Sequence, residues 1–141
     1  MNSKVTIIGG AAVDITGRPD TICRLRDSNL GVVRISPGGV GKNIAARLTA
    51  YDIDVELVSA IGKGYHAQMI REDCERHGVS LTHTLVLDEH TGTFLCVLDE
   101  DGDLQVGISD MKILAHITPE YCATLLPELN ASGMVVLDSN L

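Results

Sequence analysis

Apolar residues along this chain follow two spacings. Near-continuous apolar runs closed by glycine or aspartate occur at Lys4 to Gly9, Val55 to Ile61 and Gly133 to Asp138, as in strands buried on both faces of a parallel sheet. Elsewhere the spacing changes to three and four. Lys42 to Tyr51 sets Ile44, Ala45 and Leu48 on one face, and Tyr65 to His77 predicts a second amphipathic helix stopped by Gly78. Thr118-Pro119-Glu120 opens a further helix, with Thr as N-cap and Pro in its first position. Val79 to Leu87 reads as extended. The alternation predicts an α/β domain.

Two stretches break this rhythm with period-two patterns. Residues from about 18 to 35 include the extended segment Leu30 to Ile35, and residues 91 to 108 form a hairpin pattern around Glu100-Asp101-Gly102-Asp103. Asp-Gly between alternating strands is a strong hairpin signal. An edge hairpin with no ligand role is one reading, under which Asp110 is a surface loop acid.

The chemistry concentrates in Ser36-Pro37-Gly38-Gly39-Val40-Gly41-Lys42-Asn43-Ile44-Ala45, a glycine loop running into a helix. Such a loop lets backbone approach a ligand closely, and the helix start adds unpaired donors, so polar oxygens are the expected guests. It is neither familiar nucleotide loop. A P-loop needs glycine where Ser36 stands and a hydroxyl where Asn43 stands, and a dinucleotide fingerprint needs glycine at Ile44 with a strand directly before it in a βαβ unit. Asn43 in the first turn is a ligand contact or a capping aid. Lys42 reads as a solvated lysine. Asp14, just past the carboxyl end of the first strand, is a ligand-edge carboxylate or a turn cap.

Composition narrows the partners. A chain of 141 residues, 45% hydrophobic, suffices for one core. Net charge is −8 and the isoelectric point about 4.9, with no basic cluster, so nucleic acid is not an expected partner. Met1-Asn2-Ser3-Lys4 leads directly into the first strand, too short for a signal segment, and no run reaches the roughly 20 apolar residues of a membrane span. No membrane partner and a cytoplasmic location are therefore expected. Cys23, Cys74, Cys96 and Cys122 form no close pair and read as structural thiols, and the five histidines lack ligand spacing, so no metal is assigned.

Gly38-Gly39-Val40-Gly41-Lys42-Asn43 after extended segments resembles the substrate signature of the ribokinase-like (PfkB) family of sugar and nucleoside kinases. Val5-Thr6-Ile7-Ile8-Gly9-Gly10 with Asp14, Ser59-Ala60-Ile61-Gly62 with Gly64, and Val135-Val136-Leu137-Asp138 follow in the family's order. The resemblance covers the whole chain. Asp27-Ser28-Asn29, Ser36 to Gly41 and Ser109-Asp110-Met111 are similar to the wording of the subgroup that acts on pseudouridine. It implies a ribokinase-like three-layer sandwich with a small β lid formed by the two period-two stretches, and substrate contacts from Asp14, Gly38, Gly39, Gly41, Asn43 and Asp110. It also implies transfer of the ATP γ-phosphoryl group to the 5′-hydroxyl of a small-molecule nucleoside or sugar. ATP and Mg2+, with a monovalent cation as an optional third, are implied for the full-length enzyme, and a homodimer can form through the lid strands.

Ala12 stands where the family often has asparagine, and Val40 where ribokinases carry lysine, which argues against ribose and for a nucleoside. The family's Gly-Ala-Gly-Asp base motif, its magnesium motif and its ATP cleft do not occur before Leu141. The expectation is therefore an N-terminal substrate portion, truncated, without a catalytic base and inactive by itself. The alternative is a non-catalytic nucleoside-binding or dimerising remnant.

Overall fold

The computed structural model describes residues 4–141, so the run-in from Met1-Asn2-Ser3 lies outside the described residues. In chain order the elements are β1 (Val5–Ile8), β2 (Ala12–Pro19), β3 (Gly31–Gly38), α1 (Val40–Thr49), β4 (Val55–Val58), β5 (Ala60–Ile61) and α2 (Tyr65–His77). They continue with β6 (Leu85–Val86), β7 (Thr93–Leu98), β8 (Leu104–Asp110), a 3-10 helix at Lys112–His116, α3 (Pro119–Thr124), α4 (Leu126–Ala131) and β9 (Met134–Leu137).

β1 is the centre of a parallel sheet in the order β4-β1-β9, with Val5 opposite Val55 on one side and Met134 on the other. Its residues alternate between two cores. Val5 and Ile7, with Val55 and Leu57, pack on Ala45 of α1 and on Ala67, Ile70 and Cys74 of α2. Ile8 and Val58 pack in the other direction on Leu125, with Tyr121 and Leu129 alongside. Helices on both faces of a parallel sheet make the three-layer α/β sandwich that the family resemblance implies, around the buried strands that the apolar runs predict. As anticipated, Gly78 ends α2 and Thr118 caps α3 through its hydroxyl, which accepts from the Tyr121 amide at 3.1 Å.

The lid is a second, four-stranded sheet in the order β3-β2-β7-β8. Here the expected boundaries need correcting. The extended residues expected within about 18–35 belong to two longer strands: β2 begins at Ala12 and β3 ends at Gly38, with a loop between them. The loop exists because Asn29 bonds the Arg24 backbone twice, accepting from its amide at 2.8 Å and donating to its carbonyl at 2.9 Å. Such side-chain bonds compete with strand pairing. Asp14 is consequently inside a strand and not in a turn. The second stretch is the hairpin of β7 and β8, closed between Asp99 and Asp103.

Register fixes the lid's two faces. Asp14 pairs with Ser36 and Phe94, and Phe94 with Ser109, so these four share one face. Ile15, paired with Ile35 and Leu95, shares the other with Val33, Val106 and Ile108, and most of that apolar face is exposed.

At the opposite end of the main sheet, Glu56 is 1% exposed and holds Lys4 Nζ at 2.5 Å and His83 Nδ1 at 2.5 Å. Burial pushes this carboxyl up, but the bonds from Lys4 and His83 outweigh it and hold it below its ordinary range. A depressed folded value means that the stabilisation is complete above about pH 4.5 and is lost as pH falls through the folded value. We expect Glu56→Gln to lower the unfolding free energy at pH 7 by about 1.5–3 kcal/mol, the value of a charged hydrogen bond. The gap to wild type should close toward pH 3, measured as urea midpoints across pH; a gap independent of pH would contradict the assignment.

Candidate functional site

The site is built where two backbone segments touch. Gly9, Gly10 and Ala11 join β1 to β2, and Gly39 joins β3 to α1, whose first turn includes Gly41. A Cβ on Gly41 would lie 2.8 Å from Gly9 backbone, and one on Gly39 would lie 2.5 Å from the Gly10 carbonyl oxygen. Real Cβ atoms do not come so close, so glycine is required at this crossing. Gly39 also has φ 95°, a conformation that side chains resist. The glycines therefore serve contact between chain segments first. Donors at the helix start are partly used in the same way: Lys42 N–H donates to the Gly10 carbonyl at 3.1 Å.

The crossing opens onto a cavity of about 310 Å3. Its polar lining includes Asp14, Asn43, Ser109, Asp138 and Asn140, and its apolar wall is formed by Val40, Phe94, Met111 and Leu114. Of the residues expected to meet a ligand, Asp14, Gly39 and Asn43 line it together. Gly38 and Gly41 stand behind it. Gly41 packs on Gly9, and a Cβ on Gly38 would lie 2.2 Å from Asp14 Oδ2, so Gly38 makes room for that carboxylate. Asp110 is not brought in. It pairs with Thr93 on the far face of the lid, lines a different cavity with Lys63, Glu89 and His90, and contacts Lys112 at 3.6 Å. Strand alternation is the reason: Ser109 takes the inward place and Asp110 the outward one.

The two carboxylates at the cavity differ. Asp138 is 6% exposed and fully engaged, accepting from Gly10 N–H at 3.1 Å, Asn140 N–H at 3.0 Å and Asn140 Nδ2 at 2.8 Å. Burial pushes its carboxyl up, but these bonds prevail and hold it below the ordinary range. Asp14 has no side-chain hydrogen bond among the described residues. Burial raises its carboxyl above the ordinary range, with the Lys42 charge opposing. One carboxylate fastens the loop; the other has free acceptor capacity. Together they favour hydroxyl donors and disfavour anions.

Asp138 and Ser109 fall in the matched motifs but carry no site role from sequence, and Phe94 falls in none. Asp138 had a signal, since it follows the apolar run of β9 at the same sheet edge that singles out Asp14. Phe94, the only phenylalanine in the chain, needed the lid register. Lys42 corrects the sequence reading outright. It is 4% exposed and its Nζ sits 2.6 Å from Asp73 Oδ2 on α2. Period-3.6 logic placed it on a helix but could not supply α2 as the neighbour that covers it.

Comparison with known proteins follows the same lines. The profile for pfkB family carbohydrate kinase matches residues 2–140. The pseudouridine kinase of Escherichia coli (strain K12) is 34% identical over 138 residues, which are 97% of this chain and 44% of that protein. The guanosine-inosine kinase of Exiguobacterium acetylicum is 30% identical over 116 residues, 79% of this chain and 38% of that protein. A carbohydrate kinase from Agrobacterium tumefaciens superposes with a TM-score of 0.88 at 27% identity, over 98% of this chain and 46% of that one. The chain thus spans less than half the length of these relatives.

The crossing and the Gly38 contact can be separated by stability measurements. Gly41→Ala meets backbone and should cost about 1–3 kcal/mol, as overpacking does. Gly38→Ala meets the Asp14 carboxylate and should also destabilise, but its cost should shrink in an Asp14→Ala background while that of Gly41→Ala does not. Equal costs of Gly38→Ala in both backgrounds, from urea unfolding, would show that Asp14 is not the group in its way.

Proposed function

The chain belongs to the pfkB family of carbohydrate kinases, and from that premise we propose that its cavity is the acceptor side of a nucleoside kinase site. The acceptor is the ribose of a nucleoside, with pseudouridine the preferred one, and the donor is ATP. The observation that carries the reading is the unpartnered Asp14 carboxylate beside Asn43 and the glycine loop. A ribose offers adjacent hydroxyls, which donate to a carboxylate and accept from an amide. The engaged Asp138 at the cavity disfavours an acceptor that already carries phosphate.

Val40, Phe94 and Met111 make an apolar wall against which a base or sugar ring can lie. That wall supports a nucleoside over a free sugar, as do two relatives whose names are those of nucleoside kinases. The work of these residues is binding and orientation: Asp14 and Asn43 hold the ribose, Asp138 keeps the loop closed on it, and the lid face excludes water. Holding an acceptor hydroxyl in line is a large part of phosphoryl transfer.

ATP supplies the phosphoryl group when bound, but the triphosphate does not fit this cavity. Two carboxylates face it, and a loop amide that would cradle phosphate is already bonded to Gly10. No group of three or more potential metal ligands gathers among the described residues, so neither Mg2+ nor a monovalent cation is assigned a residue here. Among the described residues no helix is long and apolar enough to cross a membrane. We propose that the chain alone binds its nucleoside without turning it over.

The lid's outer face supports a second copy as partner. Val33 is 69% exposed, Ile35 49%, Leu95 41%, Val106 52% and Ile108 60%, and they share one face across the four strands, an apolar surface that water disfavours. Pairing two such faces in a homodimer would cover it.

Calorimetry with pseudouridine, uridine and ribose tests the binding. We expect saturable binding in that order of preference, weakened about ten- to a hundredfold by Asp14→Ala, since a hydrogen bond to a charged group contributes about 1.5–3 kcal/mol. A folded sample that gives no heat, or binds with Asp14→Ala unchanged, would sink the reading. Sedimentation of the wild type should show a concentration-dependent dimer that Ile108→Glu abolishes; a monomer at every concentration would remove the lid partner.

A further inference from the structure

We propose that Lys42 is a positioning residue for the acceptor site: through its buried bond to Asp73 it fixes the first turn of α1 on α2, and so holds Gly39 and Asn43 opposite Asp14. The inference rests on reading the cavity as an acceptor site.

α1 starts at Val40 with Gly39 before it, and no side chain caps it. A helix start without a cap has unsatisfied donors and a weakly specified first residue. Lys42 supplies the missing constraint twice. Its amide donates to Gly10 at 3.1 Å and its ammonium donates to Asp73 Oδ2 at 2.6 Å. One bond ties the turn to the glycine crossing and the other ties it to the neighbouring helix.

Stability alone gives a poor account of this arrangement. A cation in the first helical turn is opposed by the helix dipole. Burying two charges, here with side chains 6% and 8% exposed, costs desolvation that their attraction barely offsets, and an apolar pair of similar size is often as stable. What the charged pair offers over an apolar one is direction, because Nζ must meet a carboxylate. The directed element is the turn that presents Asn43 to the cavity.

Every charged or titratable group in reach fits this role. On α2, Asp73 also meets Arg76 Nη1 at 3.4 Å and His77 Nδ1 at 3.7 Å, so it is held from its exposed side. Cys74 beside it is buried, which pushes its thiol up to about 11, so it stays neutral and does not compete for Lys42. On β2, Asp14 feels the Lys42 charge, which opposes the upward push of burial.

The test compares Lys42→Met, Lys42→Arg and the double variant Lys42→Met with Asp73→Met, in which both charges leave together. Amide exchange and the NMR titration of the Asp14 carboxyl are read in the ligand-free chain, and pseudouridine affinity by calorimetry. In the methionine variants we expect amides of residues 39–43 to exchange roughly tenfold faster than wild type while core amides of β1 and β4 keep their protection. Asp14 should titrate at higher pH, and affinity should fall about tenfold. Lys42→Arg should restore all three. If Lys42→Met does not fold, the double variant decides. Uniform loss of protection across the core would mean a merely structural pair, and wild-type exchange at 39–43 would overturn the inference. Wild type that fails to bind pseudouridine would count against the acceptor reading, leaving exchange and titration to judge Lys42 separately.

Discussion

Everything in this molecule that bears on a ligand depends on how closely the Gly9-Gly10 backbone and the Gly39–Gly41 backbone approach. No side chain fits between them: a Cβ on Gly9 would lie 2.6 Å from the Cβ of Asp138 and 3.0 Å from the Cα of Gly41. The contact joins three elements that sequence keeps far apart. It sets the end of β1, the start of α1 and, through Asp138, the end of β9 around one point. Once that point is fixed, β2 must leave the main sheet and become the central part of the lid, which places Asp14 over the helix start. The cavity is a by-product of the crossing.

Electrostatics then decides what the cavity accepts. Asp138 is satisfied by Gly10 and Asn140, so its charge is held in place as part of the frame. Asp14 has no such partners among the described residues. A neutral guest with several hydroxyl groups meets free acceptors, whereas an anion meets repulsion from both carboxylates. The site thus differs from the phosphate-binding loops that it resembles in composition. Those loops aim amides at a ligand; here an amide is turned on the protein's own carbonyl, and a carboxylate faces the guest.

Buried strands and amphipathic helices were readable because one periodic pattern governs each of them. β1, α1, α2 and β9 lie within a residue or two of the stretches that predict them. That Asp14 and Asn43 line one cavity was foreshadowed because the first follows the carboxyl end of β1 and the second opens the helix after the glycine loop. What was hidden depended on pairing. The inward place of Ser109 and the outward place of Asp110 follow from β8 lying beside β7, and a shift of one residue would exchange them. The β2–β3 loop was hidden because Asn29 bonds across five residues to Arg24. Lys42 was hidden because its neighbour on α2, Asp73, lies 31 residues away.

The two faces of the lid come from a single strand register. β2 runs parallel to β7 and antiparallel to β3, so alternate residues of all its partners fall on common faces. Asp14, Phe94 and Ser109 form a polar and aromatic inner face, and Ile15, Ile35, Leu95 and Ile108 an apolar outer one. The proposed binding by the inner face and the proposed association through the outer face would therefore not be independent of each other. A slip that spoiled the inner face would spoil the outer one in the same step, because a strand has only two faces and moving by one residue exchanges them. The glycine crossing prevents that slip by anchoring β2 at Ala12 and β3 at Gly38, where each strand meets the core.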